Sequence, residues 1–154
     1  RRHFMESAKS ELRRAQRYDR PIAVAIGDLD SFKNLNDTYG HDGGDVVLRS
    51  FARLLAESLR ESDLVCRYGG EEFAFLLPES TVEQAQVLLD RFRERCAGHE
   101  IWPADGVPVR ITLSIGLADA SHCPIRIALQ QADRALYEAK RQGRNRVVIA
   151  SDAG

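Results

Sequence analysis

Apolar positions along the chain follow two periods. Met5, Ala8, Leu12 and Ala15 recur at three- and four-residue spacing with charges between them, which predicts a helix over 5–18, closed by Pro21. Ile22–Ile26 is an unbroken apolar run, the pattern of a strand buried on both faces. It empties into Gly27-Asp28-Leu29-Asp30 and a polar stretch through Asp45, read as loop and turn. Val47, Leu48, Phe51, Leu54, Leu55 and Leu59 predict a helix over 46–59. Leu64–Tyr68 and Glu72–Leu77 read as two strands joined at Gly69-Gly70, a pair that tolerates the positive φ of tight hairpin turns. Val82, Ala85, Leu89, Phe92 and Cys96 mark a further amphipathic helix. Residues 98–108 read as a loop with at most a minor strand, and Val109–Leu117 alternates with period two. Ala128, Leu129, Ala132, Leu136 and Ala139 mark a last helix, with Gly143 as its C-cap and Arg146–Ala150 as a closing strand. Strands alternate with helices, but one pair forms a hairpin. That order predicts an α/β (α+β) fold with a mixed central sheet covered by helices, not a fully parallel doubly wound one.

The 154 residues suit a single domain, 1–154. With 22 Lys and Arg against 23 Asp and Glu, the net charge of −1 excludes a broad surface for DNA or another polyanion, but not a local basic pocket for a small anion. Cys66, Cys96 and Cys123 are odd in number and far apart, which fits free thiols in a reducing cytoplasm. The four histidines are scattered and lack metal-ligand spacing. No apolar run reaches the ~20 residues of a membrane helix, and the start has no apolar signal core. The internal Met5 and absent initiator read as a piece of a longer, multidomain protein.

Five groups of residues could carry chemistry. Asp28 and Asp30 follow a buried strand, where carboxylates must be paired, bind a cation or cap the next helix. Arg67-Tyr68-Gly69-Gly70-Glu71-Glu72-Phe73 places a carboxylate, Glu71, beside two glycines that admit a ligand to the backbone. Asp28 and Glu71 could form a two-carboxylate metal site, which spacing alone does not decide. In the polar stretch, Lys33, Asn36 and Asp45 stand near that site in sequence. Asn with Asp can read a purine edge, because a carboxylate accepts from the guanine N1 and N2 donors. Lys140–Arg146 is a cationic helix end, explained by the macrodipole or by phosphate binding. Arg60 and Asp63, taken alone, are an ordinary solvated pair.

Taken together, these residues resemble the GGDEF family of diguanylate cyclases. The resemblance rests on Asp28-Leu29-Asp30-Ser31-Phe32-Lys33, Asn36-Asp37, Gly40-His41, Gly44-Asp45, Arg67–Phe73, Ser114-Ile115-Gly116, Ala132–Tyr137, Ala139-Lys140 and Gly143-Arg144-Asn145, in family order and spacing, from about Phe4 to Val148. It implies a mainly antiparallel sheet like that of nucleotidyl cyclases and polymerase palms. It also implies condensation of two GTP into cyclic di-GMP and two pyrophosphates, by two homodimer subunits each holding one GTP. Asp28 and Glu71 match the positions that bind two Mg²⁺ (or Mn²⁺), helped by the Leu29 carbonyl, and Glu71 also matches a group assisting deprotonation of the attacking 3′-hydroxyl. Asn36 and Asp45 match the guanine readers. Lys140 and Arg144 match the phosphate binders, with Lys33 and backbone N–H groups near Phe32-Lys33. Arg60 and Asp63 match the RxxD inhibitory site for cyclic di-GMP, with Arg91 as a secondary contact from a neighbouring helix. One departure is the D-x-L-T-G-L-x-N-R stretch usual before the first helix, which is not in this chain. An upstream sensor or regulatory domain is implied, and the chain itself is expected in the cytoplasm, with room for a membrane anchor in segments outside it.

Two other readings compete. A degenerate module would sense cyclic di-GMP or GTP and make nothing, but such modules lose signature acids or guanine readers that are all present here. A cyclase for another nucleotide is disfavoured by Asp45, since adenine lacks the N1–H and N2–H₂ donors a carboxylate needs.

Overall fold

The computed structural model describes residues 1–104 and 106–151. The elements run α1 (Arg2–Arg17), β1 (Ile22–Leu29), α2 (Phe32–Ser58), β2 (Leu64–Arg67), β3 (Glu72–Pro78), α3 (Val82–Gly98), β4 (Ile101–Ala104), β5 (Val107–Val109), β6 (Leu113–Asp119), α4 (Ile125–Arg141) and β7 (Val147–Ile149). The central sheet has the order β2-β3-β1-β6-β7. Its first three pairings are antiparallel, and β6 with β7 is parallel. The mixed, mainly antiparallel sheet expected from the element order is therefore present.

The side-chain alternation of strands sorts the core into two layers. Ala23, Ala25 and Leu29 of β1, with Phe73, Phe75 and Leu77 of β3 and Leu113, Ile115 and Leu117 of β6, pack against Phe51 and Leu54 of α2 and Leu89 and Phe92 of α3. Ile22, Val24 and Ile26 face the other way, with Ala74 and Leu76, onto Phe4, Ala8 and Leu12 of α1 and Ala128, Ala132 and Leu136 of α4. β1 is buried along its whole length, as its unbroken apolar run requires. Gly116 of β6 lets α4 lie directly on the sheet: a methyl group there would collide with the Ala132 carbonyl and the Leu136 amide. That contact fixes where the end of α4 falls relative to β1.

Three local expectations are corrected. The polar stretch after Asp30 is not a loop: α2 begins at Phe32 and includes it, broken only at Gly40 (φ 71°, ψ 177°). The segment lacks an apolar stripe because only Phe32 and Leu35 reach the core; most of its other residues face solvent. Residues 101–109 form a separate two-stranded sheet against α2; Asp105, within that stretch, lies outside the described residues. β6 consequently starts at Leu113 rather than Val109. Finally, neither Gly69 nor Gly70 takes positive φ, whereas Gly143 does, at 116°. The β2–β3 connection is longer than a two-residue turn and is closed by Tyr68 and Gly69 N–H groups donating to the Glu72 carbonyl at 2.7 and 3.2 Å.

Candidate active site at the acid end of the sheet

β1 delivers Asp28 at its C-terminal end, where the residue is buried. In the ladder Asp28 stands opposite Glu72 on one side and Ser114 on the other. The next amide, Leu29 N–H, donates to the Glu71 carbonyl at 3.1 Å. These pairings bring the first-strand acid and the hairpin acid to one place, which spacing alone did not decide. Asp28 and Glu72 share the alternation that faces α4, and there Lys140 Nζ donates to Asp28 Oδ2 at 2.8 Å.

The carboxylates crowd one another. Burial pushes the Asp28 carboxyl above its ordinary range; Lys140 opposes this by hydrogen bond and charge, while the neighbouring Glu71 and Asp30 charges add to it. Glu72 is pushed up by burial and then by the Asp28 charge, with Lys140 opposing and with Asp133 and Glu71 adding. One ammonium thus faces several acids. Among the described residues no three His, Cys, Asp or Glu side chains converge as a ready metal cage. The donor set fits a hard divalent cation completed by phosphate oxygens, because Mg²⁺ commonly takes one or two carboxylates and keeps its remaining positions for waters and phosphates.

Asp30 is also buried, yet it does not join this group. Its Oδ1 accepts from Ser114 Oγ at 2.6 Å. Its Oδ2 accepts from Thr112 Oγ1 at 2.7 Å and from the Asn145 amide at 3.1 Å. It therefore ties the turn that carries Arg144 to the end of β1. It does not cap α2: Ser31 is the N-cap, in left-handed conformation and without a side-chain bond. The first N–H groups of α2, at Phe32 and Lys33, are left without intrahelical partners beside the acids, a natural anion site.

Asn36 and Asp45 come from the two halves of α2 across the Gly40 break. Asn36 lies against the Gly44 backbone, so closely that a methyl group on Gly44 would collide with its Oδ1. Asp45, next in sequence, is exposed. Over Gly70 nothing of the protein lies within 4 Å of where a Cβ would sit, so the hairpin is open from outside. A concavity of about 600 Å³ lies elsewhere, at the opposite end of the sheet around Thr81, Asp119 and Ser121. The acid end is a ledge on which Asp28 and Asp30 are buried and Glu71 and Glu72 half-buried.

Arg60 and Asp63 form a second, separate unit between α2 and β2. The Asp63 side chain is fully buried. Its Oδ2 accepts from the Arg60 amide at 2.9 Å and from Arg60 Nε at 3.3 Å, and its Oδ1 from Arg60 Nη2 at 3.1 Å. Arg60 Nη2 also donates to Ser80 Oγ at 2.7 Å. Asp63 thus holds the half-exposed guanidinium in place rather than facing solvent itself. A concavity of about 250 Å³ beside Arg60 is lined also by Arg14, Arg20 and Glu79. Arg91 is exposed on α3, and no hydrogen bond or ion pair among the described residues joins it to Arg60 or Asp63.

Sequence reasoning missed Glu72 as part of the acid group, the proximity of Asp133, and the Thr112–Ser114–Asn145 set around Asp30. The strand alternation that puts Glu72 two positions from Ala74, on the α4 side, was the available signal.

An α/β domain with an acid ledge, an adjacent helix N-terminus and a cationic arm is the kind of scaffold that handles metal-bound phosphates. The family is set by comparison: residues 1–146 match the family described as diguanylate cyclase, GGDEF domain, and the chain belongs to the GGDEF family. It is 40% identical over 142 residues to the diguanylate cyclase DosC of Escherichia coli, covering 92% of this chain and 31% of DosC. It superposes on the active GGEEF domain of a diguanylate cyclase from Vibrio cholerae with a TM-score of 0.91 at 34% identity, covering 99% of this chain and 97% of that one. On the GGDEF domain of DgcB from Caulobacter crescentus, in complex with c-di-GMP, the TM-score is 0.92 at 31% identity, covering 97% and 90% of the two chains. The chain spans about a third of the length of DosC. No described helix is long and apolar enough to cross a membrane.

Proposed function

We propose that the chain is the catalytic domain of a diguanylate cyclase that condenses two GTP into cyclic di-GMP. The observation that supports this reading is that Lys140 Nζ donates to Asp28 Oδ2 at 2.8 Å, at the strand end to which the Leu29–Glu71 backbone bond draws the hairpin. Kinship supports it: DosC is named a diguanylate cyclase, and the Vibrio cholerae neighbour is an active GGEEF domain, the form spelled here by Gly69–Phe73.

Each residue then has a role. Asp28 and Glu71, with the Leu29 carbonyl, would hold Mg²⁺ (or Mn²⁺), two ions per subunit. When bound, the ions neutralise triphosphate charge and acidify the 3′-hydroxyl. Lys140, Arg144, Lys33 and the first amides of α2 bind the phosphates. Asn36 and Asp45 read guanine, with Asp45 accepting from N1–H and N2–H₂. The 3′-oxygen of one GTP attacks the α-phosphorus of the other; that O–P bond forms as the bond to the bridging oxygen breaks, and pyrophosphate departs. Glu71 assists removal of the hydroxyl proton. No covalent enzyme intermediate is required, so the protein's work is positioning and charge neutralisation. Because the reaction joins two GTP and one subunit holds one, two subunits must meet face to face. Product held at Arg60, with Asp63 as its anchor and Arg91 as a further contact, would arrest the subunits in an unproductive arrangement.

The guanine assignment is tested by competition binding. Asp45→Ala removes a charged acceptor, an interaction of about 1.5–3 kcal/mol. The preference for GTP over ATP therefore falls at least tenfold while the circular dichroism spectrum is unchanged. An unaltered preference would remove Asp45 from guanine recognition.

A further inference from the structure

Arg144 and Asn145 are consecutive non-glycine residues in left-handed conformation, with φ of 63° and 47°. L-residues disfavour that region, although asparagine tolerates it better than most. Two adjacent ones persist only where their surroundings hold them. Three bonds do so here. The Arg144 amide donates to the Ala139 carbonyl at 3.0 Å. The Asn145 amide donates to the buried Asp30 carboxylate at 3.1 Å. From a different element, Arg93 Nη1 of α3 donates to Asn145 Oδ1 at 2.9 Å. Arg93 is itself fixed, since Asp90 Oδ1 accepts from its Nε at 2.7 Å and its side chain is only 14% exposed; Glu94 Oε1 lies 3.5 Å from Nη2.

We infer that Arg93, together with Asp30, is a positioning residue that holds the Arg144–Asn145 turn in its left-handed form and so aims Arg144 at the bound triphosphate. The inference rests on the phosphate role given to Arg144 above. The clamp grips Asn145 from both ends, by its amide and by its side-chain oxygen, across the edge of the sheet. Released from Arg93, the turn can relax toward ordinary backbone conformations, and the direction in which the Arg144 side chain leaves the chain changes with it. Lys140, one turn earlier and bonded to Asp28, stays in place, so the loss falls on phosphate binding and not on the guanine site.

The test is equilibrium binding of 3′-deoxy-GTP with Mg²⁺, which lacks the attacking hydroxyl and is not consumed, against 3′-deoxyguanosine, which lacks phosphates. Arg93→Met keeps the aliphatic stem and is expected to weaken 3′-deoxy-GTP by five- to fifty-fold, with the nucleoside affinity changed less than twofold. Arg93→Lys recovers part of the loss. In an Arg144→Ala background Arg93→Met adds less than a further twofold. Equal weakening of both ligands, no weakening of either, or full additivity with Arg144→Ala would each overturn the inference. Amide hydrogen exchange without nucleotide reads the clamp separately: the Asn145 amide exchanges at least tenfold faster in Arg93→Met, and an unchanged rate overturns the clamp. Wild-type protein that fails to bind 3′-deoxy-GTP while Asn145 remains protected would instead sink the triphosphate reading.

Discussion

Asp28, the proposed metal ligand, carries a cost. Its carboxyl is buried and held above the ordinary value of 3.8 mainly by that burial, with Lys140 recovering only part of the loss. A carboxyl whose folded pKa is raised binds its proton more tightly in the folded protein, so its contribution to stability falls as pH rises from 3.8 through the raised folded value. Asp28→Asn does not titrate and leaves Lys140, a third exposed, free to turn to water. It is expected to gain about 0.5–2 kcal/mol of stability at neutral pH while losing GTP turnover, the usual exchange at an active site. Denaturant melts at several pH values check this. The advantage of the variant should vanish below that window, grow across it and stay level above. A variant less stable than wild type at pH 7 would mean that the Lys140 bond outweighs the burial. Asp30, two residues on, was legible only as half of a two-acid pattern. Its three donors come from β6, the loop before it and the α4–β7 turn, and no local spacing announces such distant partners.

Among the elements, α2 shows most clearly what sequence periodicity can and cannot report. The stripe from Val47 to Leu55 marks its second half because that half packs on the sheet. The first half, from Phe32 to Tyr39, was hidden because most of its polar residues face solvent and leave few apolar positions to count. The kink between the halves brings Asn36 onto Gly44, and this contact supports a prediction. Gly44→Ala forces Asn36 aside. The KM for GTP is expected to rise about tenfold, the loss of roughly one hydrogen bond, with kcat reduced far less. A KM within twofold of wild type would show that the Asn36 pose is not used. The apolar strands and the α3 and α4 stripes were legible because burial and alternation write themselves into the sequence, and Glu71 was legible only through its place beside Gly69-Gly70. The tightness of the β2–β3 turn was not, because Gly-Gly permits positive φ without requiring it.

For the molecule as a whole, the sequence named candidate residues, and pairing in space decided which of them meet. The acid ledge, the α2 N-terminus and the cationic arm converge at one end of the sheet, while Arg60 and Asp63 stand apart beyond α2. Under the proposed function this pair, with its buried anchor, is the site of product inhibition. Arg60→Ala is accordingly expected to raise the cyclic di-GMP concentration needed for half inhibition at least tenfold, with the uninhibited rate retained; inhibition at an unchanged concentration would dissociate that pair from feedback. The central claim is tested most directly by incubating the chain with GTP and Mg²⁺ over a range of protein concentrations and identifying the product by mass. Cyclic di-GMP, with pyrophosphate, should form at a rate per chain that climbs with protein concentration, and Glu71→Gln should make none. A product of any other mass, or an equal yield from Glu71→Gln, would contradict the account.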